Sequence, residues 1–272
     1  MEKFALIGLS GYVAKKHVRC IEKLKGDLVA ALDIHDNVGF IDTYYSECLF
    51  FKDEKNFFLY LKKKKIDYVV ICSPSHLHFK HIRLSIMSGC NVIVEKPPLL
   101  NLSDYKKIEN LENKFKKRCY CIFQLREDKR IISLKNKIQK SKTINKVKIN
   151  YYTRRGKWYH TSWKTNKKFS GGLLINIGIH FVDILIWLFG DIKKIKITKK
   201  TKMQIVGKFE MVKAIVNWNL SIKNYKKNFV NSNFHREMNI NNFIINFDKF
   251  DDLHLENYKS IIYKKKFRIK EF

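Results

Sequence analysis

Apolar and polar positions alternate in two different rhythms along the chain, and the change between them divides it. Up to about residue 124 the apolar positions form short continuous runs, Phe4–Gly8, Leu28–Asp33, Tyr68–Cys72, Asn91–Glu95 and Cys119–Phe123. Each has the length and β-branched content of a strand buried on both faces. The intervening segments, such as the one running to Lys25 and the one over Ile82–Ser88, suit helices. Strands alternating with helices predict a doubly wound parallel sheet, with ligands bound beyond the carboxyl ends of the strands. An amphipathic helix reaching about Lys140 follows. Beyond it, Lys146–Thr153, Ile192–Thr198, Met203–Phe209, Val212–Ile222 and Phe234–Phe247 show alternating or β-branched runs with short connections, which predict an open, mainly antiparallel sheet. The expected architecture is therefore an α/β Rossmann domain over residues 1–124 and an α+β domain over 125–272.

One run breaks the second rhythm. Between Gly171-Gly172 and Gly190 the sequence is apolar except for Asn176, His180 and Asp183. On a single helix these fall at i, i+4 and i+7 and share one face, which marks a site; a buried helix with satisfied polar groups is the alternative. The run is long enough for a bilayer span. Its three polar residues and the lack of a second such run argue against one.

The first strand carries the chemistry of a nucleotide-binding turn. Gly8-x-x-Gly11 and Tyr12-Val13 stand between a strand and a helix, where glycines permit a tight turn and free N–H groups can hold a pyrophosphate. Asp33, at the end of the second strand, is placed to accept hydrogen bonds from the adenosine ribose and to repel a 2′-phosphate, favouring NAD over NADP. Ser73-Pro74-Ser75-His76-Leu77-His78 and Glu95-Lys96-Pro97-Pro98 end the strands that follow. His76, His78 and His81 lack a cysteine or carboxylate partner in sequence, so no metal site is expected. Arg154-Arg155-Gly156-Lys157-Trp158-Tyr159-His160-Thr161-Ser162-Trp163-Lys164 could stack on a base and pair with phosphate, or form a solvated basic loop.

Composition changes the picture little. Fifty-five Lys and Arg against 25 Asp and Glu give a net charge of +30. The lysines are spread over the chain and not gathered into a motif, so neither nucleic acid nor a membrane is an expected partner. A basic surface would still attract an anionic nucleotide sugar. The six cysteines form no Cys-x-x-Cys pair and read as buried thiols. A strand beginning at the N-terminus without an apolar leader makes the cytoplasm the expected location.

Taken together, Gly8-x-x-Gly11, Asp33, Glu95-Lys96-Pro97 and Gly171-Gly172…Asn176…His180 resemble the Gfo/Idh/MocA oxidoreductases. The segments ALDIHDNVGFIDTYY, ICSPSHLHFKHIRLS, QLR, RGKWYHTSWK and SGGLLINIGIHFVDILIWLFGD further resemble the UDP-N-acetyl-2-amino-2-deoxyglucuronate dehydrogenases of bacterial surface-polysaccharide (O-antigen, lipopolysaccharide) synthesis. The resemblance implies NAD-dependent oxidation of the 3-hydroxyl of a UDP-linked sugar acid, with 2-oxoglutarate able to reoxidise the cofactor and with assembly into dimers or tetramers. Another sugar or inositol dehydrogenase, or a non-catalytic nucleotide-binding relative, is the competing reading.

Carried over residue by residue, the resemblance implies that Gly8, Gly11, Tyr12, Val13, Asp33, His35, Ser73, His76, Glu95, Lys96, Gln124, Trp163 and Lys164 surround NAD. It places Lys96, Arg155, Tyr159, Asn176 and His180 at the sugar. His180 is the expected base and Lys96 the cation that orients the hydroxyl, before a cis-proline; the two roles can be exchanged. Asp183 is expected to be structural. Two departures stand out. Glu127-Asp128-Lys129 replaces an apolar residue, His and Pro, and the relatives' further helix past Asp252-Leu-His-Leu-Glu-Asn-Tyr258 is expected to be missing, leaving apolar surface uncovered.

Overall fold

The computed structural model describes residues 1–223, 225–227, 230–248 and 253–271. The chain divides into two units, Met1–Gln124 with His254–Phe272, and Leu125–Leu253.

In the first unit, β1 (Lys3–Ile7), α1 (Ala14–Lys23), β2 (Asp27–Leu32), β3 (Leu49–Phe51), α2 (Glu54–Lys63), β4 (Tyr68–Ile71), α3 (His78–Met87), β5 (Asn91–Val94), α4 (Leu102–Phe115) and β6 (Cys119–Cys121) follow one another. The strands form one parallel sheet in the order β3-β2-β1-β4-β5-β6. This is the doubly wound order with its switch point between β1 and β4, and the carboxyl ends of those two strands flank the crevice in which such sheets bind ligands. Phe4, Ala5, Leu6, Val69, Val70 and Ile93 are fully buried, as continuous apolar runs in a covered parallel sheet require. The sequence pattern did not mark β3, α2 or α4. In α4 only Asp104, Ile108 and Glu112 are buried, too sparse an apolar stripe to read as a helix.

The second unit opens with α5 (Lys129–Lys140) and β7 (Asn145–Thr153), followed by four short helices, α6 (Lys157–Thr161), α7 (Lys167–Ser170), α8 (Gly172–Asn176) and α9 (Ile179–Phe189). Strands β8 (Ile192–Lys200), β9 (Gln204–Met211), β10 (Ala214–Ser221), β11 (Tyr225–Lys227), β12 (Val230–Ser232), β13 (Phe234–Ile240) and β14 (Phe243–Asn246) complete it. Five of them join β7 in a sheet ordered β14-β13-β7-β10-β9-β8. Only β7 and β10 pair in parallel, so the sheet is mixed and mainly antiparallel as expected. In β7 the residues Asn145, Val147, Ile149, Tyr151 and Thr153 are buried in strict alternation, and this face packs with α9 residues Phe181, Ile184, Leu185 and Leu188 around Trp218. Burying each such side chain contributes about 2–3 kcal/mol.

The expected single helix through Asn176, His180 and Asp183 is two helices. The run Lys167–Asn176 and α9 meet at a 53° bend. At the break, Gly178 N–H donates to the carbonyl of Leu173 at 3.4 Å, a widened turn of the kind that kinks helices. A Cβ on Gly178 would lie 2.7 Å from the Leu174 oxygen and 3.1 Å from Leu220 Cδ2, so glycine lets the bend press against β10. Among the described residues no single helix is long and apolar enough to cross a membrane.

The end of the chain differs from expectation as well. Within the motif, Asp252 lies outside the described residues, but Leu253–Lys264 forms α10 and the chain from His254 onward belongs to the first unit and not the second. Tyr258, Ile261, Phe267 and Ile269 are buried, and Cys121 N–H donates to the carbonyl of Phe267 at 2.9 Å. The last described residues of the chain are thus packed into the first unit.

Candidate active site

In the first unit the expected ligand-binding residues gather at the carboxyl ends of the strands. Gly8 follows β1 at φ 88°. A Cβ there would lie 2.6 Å from the backbone nitrogen of Ser73, so both the dihedral and the packing against the β4 loop demand glycine. Gly11 sits beneath the start of α1, where a Cβ would come 3.0 Å from the Gly8 oxygen. This is a backbone cradle of the kind that admits a pyrophosphate, with Val13 at the N-cap of α1 and Tyr12 fully exposed. Asp33 follows β2: its Oδ2 accepts from Ser10 N–H and Ser10 Oγ at 2.8 Å, and its Oδ1 accepts from His35 N–H at 2.9 Å. Asp33 is buried and His35 exposed. The residues present fit the dinucleotide that the sequence implies.

After β4, the three histidines separate. His76 is exposed. His81 is buried, with Nδ1 at 2.8 Å from Ser73 Oγ and Nε2 at 3.1 Å from Glu54 Oε1; Lys80 also pairs with Glu54. His78 is buried with Nδ1 2.8 Å from the Pro97 carbonyl and Nε2 2.8 Å from the Ser73 carbonyl. Two carbonyls would suit a doubly protonated ring, but burial outweighs them and pushes the His78 pKa down to about 4. At neutral pH one N–H therefore serves one of the two oxygens. His78 and His81 are structural, joining the loop after β4 to the turn after β5 and to α2.

That turn holds Glu95 and Lys96. Lys96 is half-buried and the Lys96–Pro97 bond is cis, as the resemblance implies. Glu95, expected beside the cofactor, instead faces inward: Oε1 accepts from His17 Nε2 at 3.0 Å and lies 3.7 Å from His254 Nε2, while Oε2 accepts from Lys96 N–H at 3.3 Å. Burial pushes the Glu95 carboxyl up, yet the two histidines outweigh it and hold it well below the usual carboxylate range. Gln124, half-buried, ends the unit.

In the second unit, Arg155, Tyr159, Asn176 and His180 lie on separate elements. Tyr159 is buried on α6 and its hydroxyl accepts from Asn176 Nδ2 at 3.4 Å. The Arg155 guanidinium carbon stands 5.8 Å from the Tyr159 ring. Burial pushes the Tyr159 hydroxyl pKa up, against the hydrogen bond from Asn176 and the charge of Arg155, so the phenol stays protonated. Lys164 stacks 5.1 Å from the Trp158 ring and 5.7 Å from the Trp163 ring, and burial, reinforced by Arg155, pushes its pKa down. The basic aromatic loop is thus partly folded on itself, through Tyr159 and Lys164, while Arg154, Lys157, Trp158 and His160 stay exposed. His180 is half-buried on α9. Asp183, one turn on, is buried and bound by Arg126 through both Nε and Nη2, a partnership in keeping with a structural role. Asp128, at the departure from the subgroup pattern, caps α5 by accepting from Arg130 N–H at 2.9 Å.

Sequence reasoning did not single out His17, which shares the buried face of α1 with Ala14, Val18 and Ile21. A histidine in a helix's apolar stripe was the available signal.

Comparisons with known proteins agree with this arrangement. Residues 2–123 match the family model described as oxidoreductase family, NAD-binding Rossmann fold, and residues 135–223 match the oxidoreductase family, C-terminal alpha/beta domain. The WlbA (WbpB) dehydrogenase of Thermus thermophilus, solved with NAD and UDP-GlcNAcA, superposes at a TM-score of 0.94 with 35% identity, covering 100% of this chain and 91% of that one. The same enzyme solved with NAD and alpha-ketoglutarate gives 0.94 and 36%, with the same coverage. The putative oxidoreductase YteT of Bacillus subtilis is 26% identical over 48% of this chain and 32% of its own length. The D-glucoside 3-dehydrogenase of Escherichia coli is 28% identical over 46% of this chain and 36% of its own length. The chain thus matches only about a third of the length of these two curated relatives. With both domain models matched in order and a full-length structural relative above one-third identity, the chain belongs to the Gfo/Idh/MocA oxidoreductase family.

Proposed function

We propose that the chain is an NAD-dependent dehydrogenase that oxidises the 3-hydroxyl of UDP-N-acetyl-2-amino-2-deoxyglucuronate to the 3-ketone, in the making of a surface-polysaccharide precursor. The observation that carries this reading is the full-length likeness to an enzyme crystallised with NAD and UDP-GlcNAcA. NAD, when bound, supplies the hydride acceptor for the hydrogen on C3. His180 takes the proton from the 3-hydroxyl, because an imidazole titrates nearest neutrality and can both accept and release it. The Lys96 ammonium orients the hydroxyl and steadies the developing alkoxide. Asn176 and Tyr159 hold the sugar, Arg155 pairs with an anionic group of the nucleotide sugar, and Trp163, Lys164, Gln124 and His76 contact the cofactor together with the Gly8–Val13 cradle, Asp33, His35 and Ser73. Assembly into dimers or tetramers belongs to the same reading.

The test is incubation with UDP-N-acetylglucosaminuronate and NAD, with and without 2-oxoglutarate to reoxidise bound cofactor. A 3-keto product identified by mass spectrometry is the expected result. Its absence under both conditions would overturn the substrate assignment. Turnover of a simple glucoside instead would favour a reading nearer the D-glucoside 3-dehydrogenase relative.

A further inference from the structure

Beneath the turn that carries Lys96 lies a buried polar cluster drawn from three distant parts of the chain. His17 on α1 is fully buried, Tyr258 on α10 is fully buried, and His254, also on α10, is 5% exposed. His17 Nδ1 stands 2.8 Å from Tyr258 Oη, and His17 Nε2 stands 3.0 Å from Glu95 Oε1. The proton positions follow from chemistry. A carboxylate only accepts, so Nε2 carries the ring proton; the neutral ring then has its lone pair on Nδ1, which accepts from the Tyr258 hydroxyl. Burial pushes the His17 pKa down and the Tyr258 pKa well up, which keeps both groups in these forms at neutral pH. Also facing the ring are His254, edge-on at 5.8 Å between ring centres, and the charge of Lys16.

We propose that His17 and Tyr258 are positioning residues for Lys96, acting through the chain of hydrogen bonds Tyr258 O–H to His17 Nδ1, His17 Nε2–H to Glu95 Oε1, and Lys96 N–H to Glu95 Oε2. Each oxygen of Glu95 is assigned by this chain: Oε1 is held from the core by His17, and Oε2 is thereby presented to the backbone of the residue whose ammonium is needed. The inference rests on the reading that Lys96 serves the reaction. His17, Glu95 and His254 bring ligand atoms within 4.8 Å of one another, close enough to grip a cation. But both ring nitrogens of His17 already have partners, so the cluster is complete as a hydrogen-bonded network.

The test compares wild type with His17→Leu, His17→Gln and Tyr258→Phe in the full chain. Glutamine places an amide N–H where the imidazole Nε2 stood and can still donate to Glu95; leucine cannot. Two readouts are taken. The first is the pH dependence of chemical labelling of the Lys96 amine in the free protein, followed by mass spectrometry, which needs no substrate. In His17→Leu the Glu95 carboxylate loses the imidazole N–H and its charge is less compensated beside Lys96, so the labelling midpoint rises by about half a pH unit or more, and His17→Gln returns it toward wild type. The second is turnover of UDP-N-acetylglucosaminuronate, where His17→Leu lowers kcat at least about tenfold with little change in KM for NAD, and His17→Gln recovers most of it. Tyr258→Phe removes a single hydroxyl and shifts both readouts in the same sense by less, and it decides the matter if His17→Leu fails to fold. A folded His17→Leu protein with wild-type labelling would overturn the proposal, as would a stoichiometric metal ion in the purified wild type. Absence of turnover in wild type would count against the proposed substrate alone, since the labelling experiment stands without it.

Discussion

Asp33 and Ser10 are locked together: one carboxylate oxygen accepts both the N–H and the hydroxyl of Ser10, each at 2.8 Å. The bond ties the end of β2 to the glycine turn after β1, so the acid that would meet the adenosine ribose is oriented by the turn that would meet the pyrophosphate. Replacing Asp33 by Ala removes this tie and the negative charge together. A hydrogen bond to a charged group is worth about 1.5–3 kcal/mol, so the dissociation constant for NAD should rise by about ten- to a hundredfold. Discrimination against NADP should fall at the same time, because no carboxylate remains to repel the 2′-phosphate. Calorimetric titration with both cofactors measures the two effects; an unchanged NAD-to-NADP ratio would remove Asp33 from this role.

His180→Asn tests the base. Asparagine keeps a polar side chain but cannot take a proton, so kcat should fall by about a hundredfold or more while KM for the nucleotide sugar stays near that of wild type. Steady-state kinetics separate the two parameters. If kcat survives and KM rises instead, His180 binds the sugar and the proton leaves by another group, with Lys96 the first candidate.

How much of this could be read from the sequence depended on how local the signal was. The strand, glycine turn and helix at Lys3–Lys23, and Asp33 after the next strand, were legible because a turn chemistry and a buried strand are written within a few residues of each other. The second unit's sheet was legible for the same reason, since alternation along β7 is a property of the strand alone. The helical face of Asn176, His180 and Asp183 was misread because periodicity assumes an unbroken helix, and the bend at Gly178 depends on the approach to Leu220. The cluster beneath Lys96 was not legible as a cluster: a histidine in the apolar stripe of α1 hinted at His17 alone. His17 and Tyr258 are 241 residues apart, and nothing in either neighbourhood announces the other. The same distance explains why residues from His254 onward were assigned to the wrong unit.

Asp183→Ala should destabilise the second unit without touching cofactor affinity. The carboxylate is buried and binds Arg126 through Nε at 2.9 Å and through Nη2, and the guanidinium carbon also lies 5.8 Å from the Trp187 ring. Removing the acid leaves a guanidinium in a site from which water is largely excluded; breaking one partner of such a pair costs about 3–5 kcal/mol. Denaturant unfolding followed by tryptophan fluorescence, with Trp158, Trp163, Trp187 and Trp218 all in this unit, reports the loss. A change below about 1 kcal/mol would show that the pair is not desolvated in solution.

Acid should weaken the first unit before its carboxylates are titrated. Burial pushes the pKa of His17, His78 and His81 below the ordinary histidine value of 6.5, for His78 to about 4. In the unfolded chain these rings take up protons near 6.5, and in the folded chain they do so only at lower pH. Between those values the unfolded state binds more protons, so stability is complete above about pH 6.5 and is lost as pH falls toward each folded value. For fully buried His78 the window runs from about 6.5 to about 4, and at about 1.4 kcal/mol per unit the loss is on the order of 3 kcal/mol. Glu95, held well below its usual range, adds its own loss only below about pH 4.5. Hydrogen exchange of backbone amides in β1, β4 and β5, measured at a series of pH values and corrected for intrinsic rates, should therefore show protection falling between pH 6.5 and 4.5. A His78→Gln variant should show a shallower fall, since one titrating group is gone. Protection that stays flat across this range in wild type would mean that the buried histidines are already charged in the folded chain, with His78 donating to the carbonyls of both Ser73 and Pro97.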